Sequence, residues 1–500
     1  MTDVLLTHSY HLPYDRKQVR KMQPYPPLGT LYAASVLRNQ GYSVAVFDTM
    51  LQDPEAGFSE ALQKHRPRIV AIYEDDFNYL TKMCLTRMRA VAWEMIQTAR
   101  SFDCAVIVHG SDATDHAEEY LRQGANFVLL GEAEGSLETT CTTLLRGDDV
   151  GGIPGLVSAG PDGYVIRHEG VTAPAASWIN LPSPARDLID MALYRDAWSR
   201  AHGYFSLNMI SSRGCPYRCN WCAKPISGSR FHVRPAESVA AEMFELKNVH
   251  GAEHVWFGDD VFALNHHWVQ DFAREIEARR CVLPFKVQSR ADLMLPETVD
   301  ALRRAGCTEV WMGVESGSQK VLDAMDKGLL VSEVVAARQQ LQNAGIRACY
   351  FLQFGYPGET WNDIQKTVSL IRATRPDDIG VSVSYPLPNT VFYERVQAEL
   401  GRKRNWRDSD DLCVMFKAAY SNEFYHALRD SLHAEVDCWH TPSADGIARD
   451  KAADMWTRVI SLEPVSRNQH ATAGQLEVAS SGEDSQFVPI RRLTAAVGEA

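Results

Sequence analysis

Residues 207–222 read LNMISSRGCPYRCNWC. A strand-like run, Leu207–Ser211, passes straight into a loop holding Cys215, Cys219 and Cys222 at spacings of four and three. Three thiolates this close together can converge on one iron–sulfur cluster. They ligate three of the four irons of a 4Fe-4S cluster, and the fourth iron keeps the exchangeable position that a catalytic cluster needs. Zinc is the alternative, but structural zinc usually takes four protein ligands. No second paired Cys or His group lies close in sequence; His232 is the nearest conceivable fourth ligand and reads more simply as a surface or cofactor-contact residue.

Downstream, strand candidates recur at His254–Phe257, Phe285–Gln288, Glu309–Val314, Ala348–Phe354 and Ile379–Ser384. Alternating with helical stretches, they predict a partial (β/α)6 barrel or open curved sheet, with chemistry in the loops that follow the strands. Upstream, apolar runs at Val4–Leu6, Val44–Phe47, Ile69–Ile72, Ala105–Val108 and Phe127–Leu130 alternate with helical stretches at Leu28–Asn39, Leu80–Arg100 and Asp115–Arg122. That is the pattern of a doubly wound α/β domain, whose ligands sit beyond the carboxyl ends of the strands. The chain divides into an N-terminal domain over 1–150, a linker over 151–200 that is Gly- and Pro-rich at its start, a barrel over 201–400 and a mostly helical C-terminal region over 401–464 that includes Asn405–Leu412. A polar, aromatic-poor flexible tail is expected over 465–500.

Composition narrows the function classes. The 500 residues carry 51 Lys and Arg against 63 Asp and Glu, a formal charge of -12, with no sustained basic stripe, so nucleic acid is not an expected partner. No apolar run of about 18 residues occurs, which argues against a membrane span, and the N-terminus lacks a leader pattern. Eleven cysteines scattered along a long chain, apart from the one tight group, fit reduced thiols and a cytoplasmic location better than a disulfide scaffold. Cys84, Cys104, Cys141, Cys281, Cys307, Cys349, Cys413 and Cys438 read as buried small residues.

The CxxxCxxC spacing, with Trp221 before the last cysteine, resembles the radical S-adenosylmethionine signature, and further motifs of that family follow in order. Gly258-Asp259-Asp260 resembles the acidic motif that holds the methionine amino group, with Asp where Glu is commoner; either acid fits the role. Gln288-Ser289-Arg290 ends the third strand and Gly313-Val314-Glu315-Ser316-Gly317 the fourth. Gly355-Tyr356-Pro357-Gly358-Glu359-Thr360 resembles the family's Gly-x-Pro-Gly-Glu-Thr turn, and Ile379–Val383 its adenine-supporting strand. The resemblance implies S-adenosylmethionine contacts from Trp221, Asp259 or Asp260, Ser289, Arg290, Glu315, Gly355, Pro357 and Val383. Taken singly, Glu315 reads equally well as a capping acid and Asp259-Asp260 as a turn pair.

Pro27-Leu28-Gly29-Thr30, His109-Gly110-Ser111-Asp112-Ala113-Thr114 and Gly131-Glu132 are similar to the strand-end turns of the cobalamin-binding domain that precedes many such enzymes. Cobalamin contacts from Leu28, Gly29, Phe77, Asn78, Ser111, Thr114, Gly131 and Glu132 are implied. The motif Asp-x-His-x-x-Gly is missing, so no histidine is expected on cobalt, and Tyr73–Asn78 becomes the candidate for the lower corrin face, unless it is a plain acidic loop.

The whole resembles cobalamin-dependent radical S-adenosylmethionine methyltransferases and the anaerobic magnesium-protoporphyrin monomethyl ester cyclase group. It implies a 4Fe-4S cluster, S-adenosylmethionine and cobalamin as cofactors. One S-adenosylmethionine methylates cobalt; a second yields a 5'-deoxyadenosyl radical that removes a substrate hydrogen before methylcobalamin delivers methyl to carbon. An external electron donor such as flavodoxin or ferredoxin and a small-molecule or natural-product substrate are the implied partners. Ring formation, oxidation or rearrangement without net methylation is the alternative, and a cobalamin and iron–sulfur sensor the alternative of another class. Tyr385, closing the sixth strand, is the expected substrate-pocket residue.

Overall fold

The computed structural model describes residues 2–52, 57–78, 80–83, 85–160, 164–168, 181–440 and 446–469. Its first sheet holds β1 (Val4–Thr7), β2 (Val44–Phe47), β3 (Ile69–Tyr73), β4 (Ala105–His109), β5 (Phe127–Leu129), β6 (Leu156–Ala159) and β7 (Val165–Arg167). The order is β2-β1-β3-β4-β5-β6-β7, parallel through β5 and antiparallel beyond it. Successive side chains of a strand point to opposite faces. Leu5, Val70, Ile72, Val106 and Val108 therefore pack on one side with Ile96 and Leu62, while Val4, Leu6, Ala71 and Ile107 pack on the other with Leu37 and Leu137. Burial on both faces explains why these strands read as continuous apolar runs.

The second sheet holds β8 (Ser206–Met209), β11 (His254–Phe257), β12 (Phe285–Ser289), β13 (Cys307–Glu315), β14 (Arg347–Phe354) and β15 (Asp378–Val383), all parallel and in sequential order. This is the expected open half-barrel. Its β8 edge is sealed by the N-terminal part of the chain: the Asn208 side chain donates to the Pro26 carbonyl (2.9 Å), Arg186 donates to the Asn208 carbonyl (2.8 Å), and Tyr25 meets Ser206 at 3.1 Å. Two short strands, β9 (Ser212–Arg213) and β10 (His232–Val233), pair antiparallel and clamp the base of the cysteine loop.

Five expectations are corrected. The stretch 151–200 is more than a linker: β6 and β7 extend the first sheet, and Met191–His202 is a helix capped by Asp190, whose carboxylate accepts from Ala192 N. The expected Leu80–Arg100 helix starts at Thr86 after a 3-10 turn at Thr81–Met83, and the expected Asp115–Arg122 helix is two short ones, Ser111–Asp115 and Ala117–Arg122, broken at His116. Asn405–Leu412 forms no helix, because its Asp side chains bind local backbone instead, Asp408 accepting from Asp410 N and Asp411 from Arg407 N. The Gly446–Gln469 helix runs through Pro464, pinned where Ser421 N donates to Ser466 Oγ (2.6 Å), so residues 465–469 are helix where a flexible tail is expected; residues 470–500 and Cys84 lie outside the described residues. Among the described residues no helix is long and apolar enough to cross a membrane.

Candidate active site

The ligand-facing ends of the two sheets meet at the cysteine loop. Gly214 opens the loop at φ +82°, and a Cβ there would lie 2.2 Å from the Arg230 carbonyl oxygen, so the turn demands glycine. Lys224 Nζ then donates to the carbonyls of Cys215 (2.9 Å) and Tyr217 (2.5 Å), curling the loop on itself. Asn220, between the second and third cysteines, anchors it to the barrel. Its amide donates to Ala324 O and Asp326 Oδ2 (both 2.8 Å), its side-chain oxygen accepts from Tyr356 OH (2.7 Å), and its backbone bonds Met325 and Phe392. The three thiols remain half-buried. Burial raises the Cys215 thiol and, with the Asp260 charge next, pushes Cys222 up to about 12. A thiolate there needs a cationic partner, which an iron cluster supplies and water does not.

The acidic pair separates cleanly. Asp259 is 1% exposed, and its carboxylate accepts from Ser211 N (3.1 and 3.2 Å), Ser211 Oγ (2.6 Å) and Ser212 Oγ. Burial lifts it to about 6 even though those bonds pull it down. Asp260 stays partly exposed, pairs with Lys82 at 2.5 Å, and acts electrostatically on Cys215 and Cys222. Asp259 braces the strand end, whereas Asp260 faces the thiols.

The remaining barrel residues divide similarly. Ser289 donates to Phe262 O (2.7 Å). Arg290 spends its guanidinium on Asp292 and on the carbonyls of Lys327 and Gly328, and stacks over the Tyr217 ring at 3.7 Å, so it holds the cysteine loop instead of presenting a free fork. Glu315, in left-handed backbone at φ +61°, accepts from buried Lys327 at 2.8 Å. Burial would lower the Lys327 ammonium, yet Glu315 and Cys219 together hold it above its ordinary range. Lys327 also lies 6.0 Å from the ring centroid of Trp221, whose buried Nε1 has no hydrogen-bond partner among the described residues. Gly355 sits against the Tyr425 ring, Pro357 is exposed and Val383 is buried. Tyr385 does not line an open pocket: it is 7% exposed, and its hydroxyl accepts from Asn405 Nδ2 (3.1 Å) and Trp406 N (3.2 Å). A buried phenol needs partners, and the C-terminal loop provides them. Cys104, Cys141, Cys281, Cys307 and Cys349 are buried as expected; Cys413 and Cys438 are only half-buried.

In the first domain the segment after β3 is no solvated acidic loop: Glu74, Asp75 and Asp76 are all buried. Glu74 accepts from Ser9 N (3.0 Å), and Asp75 accepts from Gly29 N (2.9 Å) and Phe77 N (3.3 Å), tying the loop to the start of the Leu28–Asn39 helix. Gly29 is required there, since a Cβ would press within 3.1 Å of the Glu74 carbonyl oxygen and 3.2 Å of the Asp75 backbone. Leu28, Tyr32 and Phe77 pack with Ile210 from the end of the first barrel strand. Asn78 and Thr114 use their polar groups locally, Asn78 accepting from Leu80 N and Thr114 donating to Gly110 O. His109 donates from Nε2 to Gly131 O (2.9 Å), and burial lowers it to about 4. Asp76 Oδ1, Ser111 Oγ and Glu132 Oε1 are buried with no hydrogen-bond partner among the described residues. Such orphans gathered at the ends of β3, β4 and β5 suit a large polar ligand. Arg213 bridges the domains, donating to buried Glu134 at 2.5 and 3.1 Å and lying 5.0 Å over Phe77.

Asn220, Lys224, Lys327 and Arg213 escaped the sequence reading. Asn220 and Lys224 sit inside or beside the cysteine motif, and that proximity was their only signal.

Glu359 of the Gly-x-Pro-Gly-Glu-Thr turn yields a stability prediction. It is buried, one carboxylate oxygen accepts from Gly355 N (2.6 Å) and the other has no partner among the described residues, nor has the neighbouring Tyr425 hydroxyl. Burial raises its pKa from 4.5 to about 8. The folded state therefore binds the extra proton, and stability falls as pH rises from 4.5 through about 8. Glu359→Gln will flatten that slope in pH-resolved denaturant melts and gain on the order of 2 kcal/mol at the alkaline end.

Comparison with known proteins bears on the fold. Residues 209–371 match the model of the Radical SAM superfamily. An uncharacterized methyltransferase of Pyrococcus horikoshii is 26% identical over 389 residues, covering 76% of this chain and 81% of that protein. The anaerobic magnesium-protoporphyrin IX monomethyl ester cyclase of Rubrivivax gelatinosus is 22% identical over 395 residues, covering 76% and 67%. Among solved structures, the radical S-adenosylmethionine methyltransferase TsrM from Kitasatospora setae, with cobalamin and a [4Fe-4S] cluster bound, aligns at a TM-score of 0.64 with 21% identity, covering 77% of this chain and 75% of that one. At that identity the likeness is one of fold.

Proposed function

We propose that this chain is a cobalamin-dependent radical S-adenosylmethionine enzyme that moves a methyl group to a carbon of a small-molecule or natural-product substrate. The observation that carries the reading is the juxtaposition of a three-cysteine loop, at the strand ends of an open parallel half-barrel, with a β2-β1-β3-β4-β5 sheet whose strand ends hold orphaned buried polar atoms. Cys215, Cys219 and Cys222 hold a 4Fe-4S cluster, and Leu28, Gly29, Phe77, Asn78, Ser111, Thr114, Gly131 and Glu132 lie against cobalamin. When bound, these groups supply the electron that cleaves S-adenosylmethionine and the carrier for the methyl group.

The chain's own residues bind, orient and exclude water. Asp260, with Asp259 already saturated by Ser211 and Ser212, accepts from the methionine ammonium. Lys327 keeps Glu315 fixed beside Trp221, so that its free oxygen suits ribose hydroxyls, and Ser289, Gly355, Pro357 and Val383 line the rest of the nucleoside site. Arg290 is a positioning residue that clamps Tyr217. A low-potential donor such as flavodoxin or ferredoxin, in the cytoplasm, suits the electron demand. The similarity to a cyclase favours one second reading, ring formation without net methylation.

Anaerobic incubation of the reconstituted full-length protein with S-adenosylmethionine, cobalamin and a low-potential reductant tests this by mass spectrometry. The expected products are 5'-deoxyadenosine and S-adenosylhomocysteine, with deoxyadenosine abolished and bound iron lost in Cys219→Ala. Deoxyadenosine without homocysteine product selects the non-methylating reading; deoxyadenosine that survives Cys219→Ala sinks both.

A further inference from the structure

An acidic protein of net charge -12 concentrates six cations around one cavity. This cavity is a groove open to solvent, about 580 Å³, between the start of the Thr86–Ser101 helix and the loop 402–407, and is lined by Arg87, Arg89, Arg402, Lys403, Arg404 and Arg407. Three acids offset part of this charge: Asp112 pairs with Arg89 at 2.6 Å, Asp411 with Lys403 at 2.5 Å, and Asp408 approaches Arg87 at 3.9 Å. Among the described residues neither Arg402 nor Arg404 forms an ion pair, and both are exposed. Burial chiefly, and the Arg407 charge second, lower the proton affinity of Arg87, while Asp408 acts against them.

The cavity belongs to the functional face. The Thr86–Ser101 helix follows β3, so its N-terminus opens where that sheet presents its ligands, and the 402–407 loop follows the end of β15 on the ligand side of the barrel. The two are stitched together: Thr86 N donates to Trp406 O (2.9 Å), Arg87 N to Arg407 O (3.4 Å), and the same loop caps the Tyr385 hydroxyl. Arginine forks pair planar oxyanions bidentately, and a cluster of them holds multiply charged groups.

We propose that this cavity binds the anionic handle of the substrate, which assigns the substrate to phosphate- or carboxylate-bearing molecules. The proposal rests on the radical-enzyme reading for what happens at the other end of that molecule, but the binding itself is measurable without turnover. Inorganic pyrophosphate and citrate serve as probes, titrated calorimetrically into the reconstituted full-length protein at fixed ionic strength. Pyrophosphate or citrate is expected to bind at one site, about tenfold or more weakly in Arg402→Gln/Arg404→Gln, and with affinity only partly recovered in Arg402→Lys/Arg404→Lys, which restores the charge but not the fork. Tighter pyrophosphate points to a phosphate handle and tighter citrate to a carboxylate one. Absence of binding by both probes, or equal affinity in the Gln variant, overturns the proposal. So does a Gln variant that binds both probes normally and loses turnover only with flavodoxin, not dithionite, as donor, since the patch is then a docking face for an acidic protein. Deoxyadenosine formation by the unmodified protein reads the radical chemistry separately.

Discussion

Glu134→Gln will destabilise the protein by about 3–5 kcal/mol, the usual cost of leaving one member of a buried ion pair without its counter-charge. Arg213 and Glu134 are both nearly sealed from solvent, and they join the first helix turn after β5 to the strand that launches the cysteine loop. Burial alone would raise the Glu134 carboxyl, but Arg213 outweighs it and the net shift is downward. Glu134 therefore contributes stability above its unfolded pKa, and the contribution is lost as pH falls through the depressed folded value. The variant should accordingly lose less melting temperature than the unmodified protein across the acid range, with Glu242 and Asp112, also held below their ordinary values by arginines, supplying the dependence that remains. Glu134→Met/Arg213→Met should recover most of the loss, because two apolar side chains leave no charge behind. A Glu134→Gln variant within about 1 kcal/mol of the parent in denaturant melts would show that the pair does not couple the domains.

Gly214→Ala is expected to cost the protein its iron while leaving most of the fold in place. The position combines a left-handed backbone with a backbone oxygen, not a movable side chain, 2.2 Å from where the methyl would sit. The strain of about 1–2 kcal/mol for a left-handed non-glycine residue is the smaller part. The larger part is displacement of Arg230 and the breaking of the Arg213–His232 pairing that closes the loop's neck. Iron and sulfide assays of the reconstituted variant should approach those of Cys219→Ala, with far-ultraviolet dichroism unchanged. Full iron loading in Gly214→Ala would mean that the neck of the loop does not govern how the thiols are presented.

Both predictions turn on contacts that local sequence conceals. Strands such as Ile69–Tyr73 and Ala348–Phe354 were legible because burial on both faces makes each an apolar run bounded by polar breakers, and Phe285–Ser289 or Asp378–Val383 because buried and half-buried positions alternate. The cysteine loop was legible because its chemistry is confined to eight residues. β6 and β7 were not: at four and three residues they are no shorter than β1 and β5, but they lie in Gly- and Pro-rich sequence and owe their pairing to the exposed edge of β5. Polar partnerships across the chain were equally hidden. Nothing near Asp259 announces that Ser211 and Ser212, nearly fifty residues earlier, will occupy its oxygens and leave Asp260 to face the thiols. The partners of the Tyr385 hydroxyl were hidden for a related reason, since Asn405 and Trp406 sit in a segment whose pattern suggests helix and whose aspartates prevent one.

The sealing of β8 has a consequence for how the molecule can be taken apart. Because Tyr25, Pro26 and Arg186 occupy the outer side of that strand, the half-barrel has no finished border of its own. A fragment beginning near residue 201 would strip the Asn208 carbonyl and side-chain amide of their partners and uncover the β8 edge beside Phe205 and Leu207, an invitation to strand addition by another copy. The two halves are thus separable in description but not as autonomous modules, and an excised catalytic half should emerge as a self-associating species.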